Sequence, residues 1–446
     1  MSKNTSKLPA KNVAIIGGGI AGLAAAASLA KQGIAVTVLE AGSHLGGRAR
    51  SVAIEANSRV VQLDNGQHIM LGAYHETLKL LESVGVPEST AFMRLPLTLD
   101  LRAGKQHAFK LSTPSYLPAP INLLIGFLCC AGLQFNERLA VIKFMLKLKK
   151  TQYTLVSDEP LLKFLQQNQQ SNNIIALLWE PLCLAALNTP MDIASSRVFL
   201  NVLRDSFNGK KTDSNFLLPK HDLSQIFSNP ILRYLKVKHA KVLYNQRVKS
   251  IEVTQNGYLV VTKGLRTEFS HLIIAVSPTR LQAVTANLPE LAIIAEKTEQ
   301  YEYQPIVTIY LQYPNNATIS MPMVGLTGTL SQWVFDRGIL CNQHGLMAVM
   351  ISAQGKHQKY THDALALRVA QELHQAFPNL NKPLWHKVIA EKRATFSCTV
   401  DLHRPMHATA YPNLYLAGDY TYANYPATIE GAVRSGIACA DLVSNS

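Results

Sequence analysis

The most constraining feature of the chain lies between residues 13 and 40. Val13-Ala14-Ile15-Ile16 is a short apolar run, and Gly17-Gly18-Gly19-Ile20-Ala21-Gly22 follows it at once. Ile20 to Gln32 is Ala-rich and ends at Gly33, and Ala35 to Leu39 is a second apolar run closed by Glu40. This order predicts strand, glycine turn, helix and second strand. Gly17, Gly19 and Gly22 satisfy GxGxxG in the context that gives the motif its meaning. The first glycine makes the turn, the second lets the backbone approach a pyrophosphate, and the third lets helix pack on strand. The helix N-terminus adds free N–H groups and a positive dipole. Glu40 stands at the right distance to bind ribose hydroxyls, and its carboxylate makes a 2′-phosphate a poor fit. The expected cofactor contacts here are Gly17, Gly19, Ala21, Gly22 and Glu40.

The rest of the chain must be built around that unit. At 446 residues it fits two domains, and 48% hydrophobic content leaves plenty to bury. Charged residues are 16%, against a usual ~25%. The net charge is +14, which points to nucleic acid or an anionic membrane surface. The basic residues are scattered rather than striped, so no nucleic-acid partner is expected. The six cysteines form no CxxC, which argues against a disulfide framework or a zinc site and for a reducing cytoplasm. His403 and His407 have Pro405 between them, so no metal site is expected. Residues 1–12 are polar, with no apolar leader region. The longest apolar stretch, Leu123 to Leu133, is too short to span a bilayer.

Residues 85–110 are expected as short strands, and 121–204 as mostly helical. Val242 to Lys263 reads as a hairpin around Gln255-Asn256-Gly257. Further strands are expected at 271–276, 304–312, 346–352 and 414–417, and helices at 362–377 and 429–443.

Two segments decide between NAD and FAD. Gly46-Gly47-Arg48-Ala49-Arg50 follows Glu40 closely, and Leu416-Ala417-Gly418-Asp419 precedes Thr428 and Glu430-Gly431-Ala432 near the end. Both resemble segments of the flavin amine oxidase and phytoene desaturase superfamily. The resemblance implies FAD, with Gly47 and Arg48 near the pyrophosphate and Asp419 at the ribityl or pyrophosphate region. It also implies that Gly418, Thr428, Gly431 and Ala432 bring a second helix N-terminus to the flavin, and that Val248 contacts adenine through its backbone. The fold class implied is α/β, with a Rossmann-like FAD-binding domain interleaved with an α+β substrate domain. The FAD-binding domain would take residues 1–84, 220–290 and 405–446. The substrate domain would take 85–219 and 291–404.

Leu63-Asp64-Asn65-Gly66-Gln67-His68, Trp179-Glu180-Pro181-Leu182, Gln332 to Gly338 and Tyr425-Pro426-Ala427-Thr428-Ile429-Glu430-Gly431-Ala432 narrow the likeness. They resemble the hydroxysqualene dehydroxylases, also called squalene-associated FAD-dependent desaturases, from about residue 12 to 440. That resemblance implies an oxidoreductase of squalene and hopanoid synthesis, removing the allylic hydroxyl of a C30 isoprenoid, hydroxysqualene. The implied partners are an electron donor for FAD and the enzyme that makes hydroxysqualene. A carotenoid desaturase or another flavin amine oxidase is the alternative, and a non-catalytic lipid binder the rival from a different class. The departing oxygen needs a proton; Asp64, His68, Glu180 and Asp336 are the candidate donors.

Residues 118–150 carry a separate expectation. Arg138 to Lys150 is amphipathic by pattern, with Lys143, Lys147 and Lys150 on one face and Val141, Phe144, Met145 and Leu148 on the other. The expectation is that this apolar face enters one leaflet, holding the protein peripherally on the inner face of the cell membrane.

Overall fold

The first apolar run becomes the strand Asn12–Ile16 at the centre of a five-stranded parallel sheet. The computed structural model describes residues 11–56 and 58–446; most of the polar stretch 1–12 lies outside them. The sheet runs Lys241–Leu243, Ala35–Leu39, Asn12–Ile16, His271–Ile274 and Leu414–Leu416. Its strands come from three distant parts of the chain. Each is short and aliphatic because helices and loops cover both faces.

The helix Ile20–Lys31 turns Leu23, Ala24, Ala25, Ala26 and Leu29 into the core. Full burial of each leucine contributes about 1.5–3 kcal/mol. The alanines keep the helix thin, so the last helix, Ile429–Asn445, packs close against it. A Cβ on Gly436 would stand 2.2 Å from the carbonyl oxygen of Ala21. The first and last segments of the chain therefore share one hydrophobic core.

A second, seven-stranded sheet runs Trp385–Phe396, Tyr303–Gln312, Leu346–Ser352, Trp333–Asp336, Met323–Leu326, Thr98–Ala103 and Gln106–Ser112. It separates two cores by strand alternation. Ile309, Val334 and Val349 face the helix His362–Ala376, while Tyr310, Phe335 and Met350 join the largest cluster on the opposite side.

Several segments differ from the sequence expectation, among them the antiparallel pair Ser51–Ala56 and Arg59–Asp64 and the helix His75–Ser83, which it lacked. The hairpin begins at Ser250, because Lys241–Leu243 instead pairs in parallel with Ala35–Leu39. The strand Trp385–Phe396 was not anticipated. It is an edge strand, mostly half-buried or exposed up to Ala394 and with Lys387, Glu391, Lys392 and Arg393 along it, so its apolar signal is weak.

The lipid-facing expectation for Val141, Phe144, Met145 and Leu148 is corrected. In the helix Phe135–Lys150 these four side chains are buried in protein. Phe144 packs edge-on against Trp179, centroids 5.6 Å apart, and against Phe164 at 5.8 Å. Trp179 is anchored in turn by its indole N–H, 2.9 Å from Oε1 of Gln170. No helix among the described residues is long and apolar enough to cross a membrane.

Candidate active site

A cavity of about 750 Å³ opens along the C-terminal ends of the parallel strands and continues under the seven-stranded sheet. Strand ends of an open parallel sheet are the usual place for a nucleotide. Gly17 has φ +112°, and a Cβ there would meet the Ala275 carbonyl oxygen at 2.6 Å. A Cβ on Gly22 would stand 2.0 Å from the Gly17 carbonyl oxygen. Gly19 is different: among the described residues a Cβ on it would meet no atom within 4 Å, yet it lines the cavity as the N-cap of Ile20–Lys31. That open space is where a pyrophosphate fits against free N–H groups.

Glu40 ends its strand at the cavity wall, its carboxylate accepting from the N–H of Gly18 at 2.8 Å and of Gly42 at 2.7 Å. Val248 lines the same end, and among the described residues its N–H and C=O make no backbone hydrogen bond. Both are thus available to a planar base. Ala21, Gly47, Gly418, Thr428 and Ala432 also line the cavity. Gly22 and Gly431 do not; Gly22 packs on Gly17, and the N–H of Gly431 donates to Oγ1 of Thr428 at 3.1 Å.

Arg48 is committed within the protein. Its guanidinium donates to Oδ2 of Asp419 at 2.6 Å and to the carbonyl of Ala394 at 2.7 Å. The negative charge of Asp419 holds the guanidinium above its ordinary range. This pair ties the first segment of the chain to the last, and both partners face the cavity. A glycine cradle, an acid at the second strand and two helix N-termini fit FAD.

Of the four candidate proton donors, the structure brings only His68 to the cavity wall. Its Nδ1 lies 2.6 Å from the Gly66 carbonyl oxygen. A proton on Nδ1 makes that bond and leaves Nε2 as the ring nitrogen open to a ligand. Burial pushes the His68 imidazole below its ordinary pKa.

The structure places the other three away from the cavity wall. Asp64 is buried behind the wall, accepting from the N–H of Leu223 at 2.8 Å and from Nη1 of Arg337 at 3.3 Å. Burial pushes its carboxyl up, against the pull of Arg337. Asp336 is the N-cap of the short helix Arg337–Cys341, accepting from the N–H groups of Gly338 and Ile339. Its other oxygen takes the Thr318 hydroxyl and the Ile319 N–H. Glu180 is exposed at the start of the helix Glu180–Leu187 and stays outside the cavity. Tyr425 also stays outside; it packs edge-on against Tyr74, with Arg434 4.6 Å above its ring.

Gln67 and Tyr303 were not singled out by sequence. Gln67 is one of the residues lining the cavity; Nη1 of Arg337 lies 2.7 Å from its Oε1, which fixes the amide, and its buried Nε2 has no partner among the described residues. Tyr303 also lines the cavity, and its buried hydroxyl is likewise without a partner among the described residues. Burial pushes its pKa up to about 12, so it remains a donor at neutral pH. The sequence signal for Gln67 was its place in the 63–68 segment. The signal for Arg337 was its place in the 332–338 segment.

The family model of flavin containing amine oxidoreductases matches residues 20–444. The chain belongs to that family. As a member of it the protein is an FAD-dependent oxidoreductase. The hydroxysqualene dehydroxylase of Zymomonas mobilis is 28% identical over 445 residues, covering 96% of this chain and 98% of the relative. That of Rhodopseudomonas palustris is 29% identical, covering 97% and 98%. Among solved structures, cyclohexylamine oxidase from Brevibacterium oxydans shares the fold, with a TM-score of 0.69, 16% identity and coverage of 98% and 99%.

Proposed function

We propose that the protein removes the hydroxyl of hydroxysqualene reductively, giving squalene and water. The observation that carries this reading is the make-up of the cavity beyond the dinucleotide cradle. Its wall there includes Ile69, Leu184, Ile306, Trp333, Met350 and Phe396. Such a wall suits a hydrocarbon. The near-full-length likeness to two hydroxysqualene dehydroxylases supports the same substrate.

Reduced FAD, when bound, supplies a hydride to the allylic carbon. The chain must then hold the alcohol, protonate its oxygen and keep water away from the cation that remains. His68 gives a proton from Nε2 to the departing oxygen, while the Nδ1 bond to Gly66 holds the ring in place. The C–O bond breaks, and the oxygen leaves as water. Nε2 of Gln67 donates a hydrogen bond to that oxygen, because its own carbonyl is held by Arg337. Trp333 and Phe396 exclude water and offer π-faces to positive charge.

A C30 alcohol partitions into a bilayer, so the reading puts the protein at the inner face of the cell membrane. Anaerobic incubation of dithionite-reduced protein with hydroxysqualene tests it. Squalene forming in proportion to flavin oxidised is the expected result. A product with an added double bond, formed only with an oxidant, would replace this reading with a desaturase.

A further inference from the structure

The helix Phe135–Lys150 carries two apolar stripes: one is buried in the core, and the other touches it through Ile142. At about 100° per residue, Phe135, Leu139, Ile142 and Leu146 fall within an arc of about 60°, opposite the buried stripe. Phe135 is 67% exposed and Leu146 52%. Leu139 and Ile142 between them are half-buried. The preceding helix, Ile121–Cys129, has a matching row in Ile121, Leu124, Ile125 and Leu128. Ile121 is 48% exposed, and the other three are half-buried. Leu124, Ile125, Leu128 and Leu139 join none of the hydrophobic clusters. The two helices pack on each other, and Nη1 of Arg138 donates to the Leu128 carbonyl at 2.9 Å. Tyr116, 83% exposed, precedes them.

Charge frames this surface. Lys143, Lys147 and Lys150 lie along one flank of the outer stripe and Lys149 along the other, all exposed. The one acid of this helix, Glu137, falls on the far side and is held by Ser171 and Asn173. We propose that these two helices dock the protein on an anionic lipid surface, with Ile121, Phe135 and Leu146 entering the interface and the lysines meeting headgroups. A second copy of the chain is the poorer occupant, because a two-fold contact would bring the lysine flanks together without acids to meet them. The inference deepens the membrane part of the proposed function and rests on it, but not on the chemistry.

The test is sedimentation of FAD-loaded protein with vesicles, without substrate. Phosphatidylglycerol–phosphatidylcholine vesicles should carry the protein down, with binding weakening as salt rises. The double variant Phe135→Ser/Leu146→Ser and the triple variant Lys143→Ser/Lys147→Ser/Lys150→Ser should each lower the partition coefficient at least tenfold. Leu367→Ser, which removes an exposed leucine on another helix, should bind as wild type. Flavin absorbance and melting temperature report folding of each variant. Wild type remaining in the supernatant, or variants binding like wild type, overturns the proposal. So does a dimer that Phe135→Ser/Leu146→Ser splits, which would give this face to a second copy. None of these results depends on squalene being formed.

Discussion

Asp64 and Arg337 stand 273 residues apart in sequence and form an ion pair of 3.3 Å with side chains 1% exposed. Burying both charges has a large desolvation cost, so removing one partner leaves the other uncompensated. Arg337 also donates to Gln67 and Gln343, so the pair sets the loop that carries His68. Arg337→Met and Asp64→Asn are each expected to destabilise the protein by about 3–5 kcal/mol. The double variant is expected to lose clearly less than the sum. Denaturant melts of the FAD-loaded proteins check this, and additive losses would refute the coupling.

Gly19 and Gly22 separate what the fold requires from what the cofactor requires. Gly22→Ala places a methyl group 2.0 Å from a backbone carbonyl, so the protein itself must distort. Among the described residues, Gly19→Ala meets no atom within 4 Å. Its expected phenotype is an apoprotein that melts like wild type and binds FAD at least tenfold more weakly. Flavin titration beside a thermal melt distinguishes the two. Gly19→Ala protein with normal FAD affinity would show that the pyrophosphate lies elsewhere.

The contrast between these glycines also marks what sequence could convey. GxGxxG, Glu40 and the 416–419 segment act through local geometry, and local geometry follows from short spacings. The candidate proton donors depend on burial and on partners far along the chain. Asp336 and His68 look equally chemical in sequence, yet one caps a helix and the other lines the cavity. The capping role had a local trace, an Asp directly before the helix that opens with Arg337 and Gly338. Arg337 pairing with Asp64 had none. The helix Phe135–Lys150 adds another case. Both of its stripes are apolar, and the packing of Trp179 and Phe164 against one of them decided which faces inward.

The protonation state of His68 gives the catalytic reading a pH signature. Burial, aided by the charge of Arg48, holds the imidazole below 6.5 against the Gly66 bond and Asp64. The imidazolium is therefore the minor form at neutral pH. With His68 as proton donor, kcat/KM rises as pH falls and levels off below that lowered pKa. His68→Asn should abolish the rise while keeping the flavin spectrum. A wild-type profile flat between pH 8 and 5 would remove His68 from the role.

Stability has the opposite dependence on acid. Burial lowers the pKa not only of His68 but of His271, His357 and His407. In the unfolded chain each takes a proton near 6.5. In the folded chain each takes it only at lower pH, so the unfolded state binds more protons in between. Stability is therefore fully present above about pH 6.5 and falls as pH drops towards the folded values. The slope is at most about 1.4 kcal/mol per pH unit for each histidine. Melting temperature, measured with saturating FAD, should decline steadily from pH 7 to 5. His357 is the variant to make, since its buried Nε2 has no partner among the described residues and it lies outside the cavity. His357→Leu should flatten the decline without changing kcat, and a slope unchanged from wild type would show that His357 does not contribute.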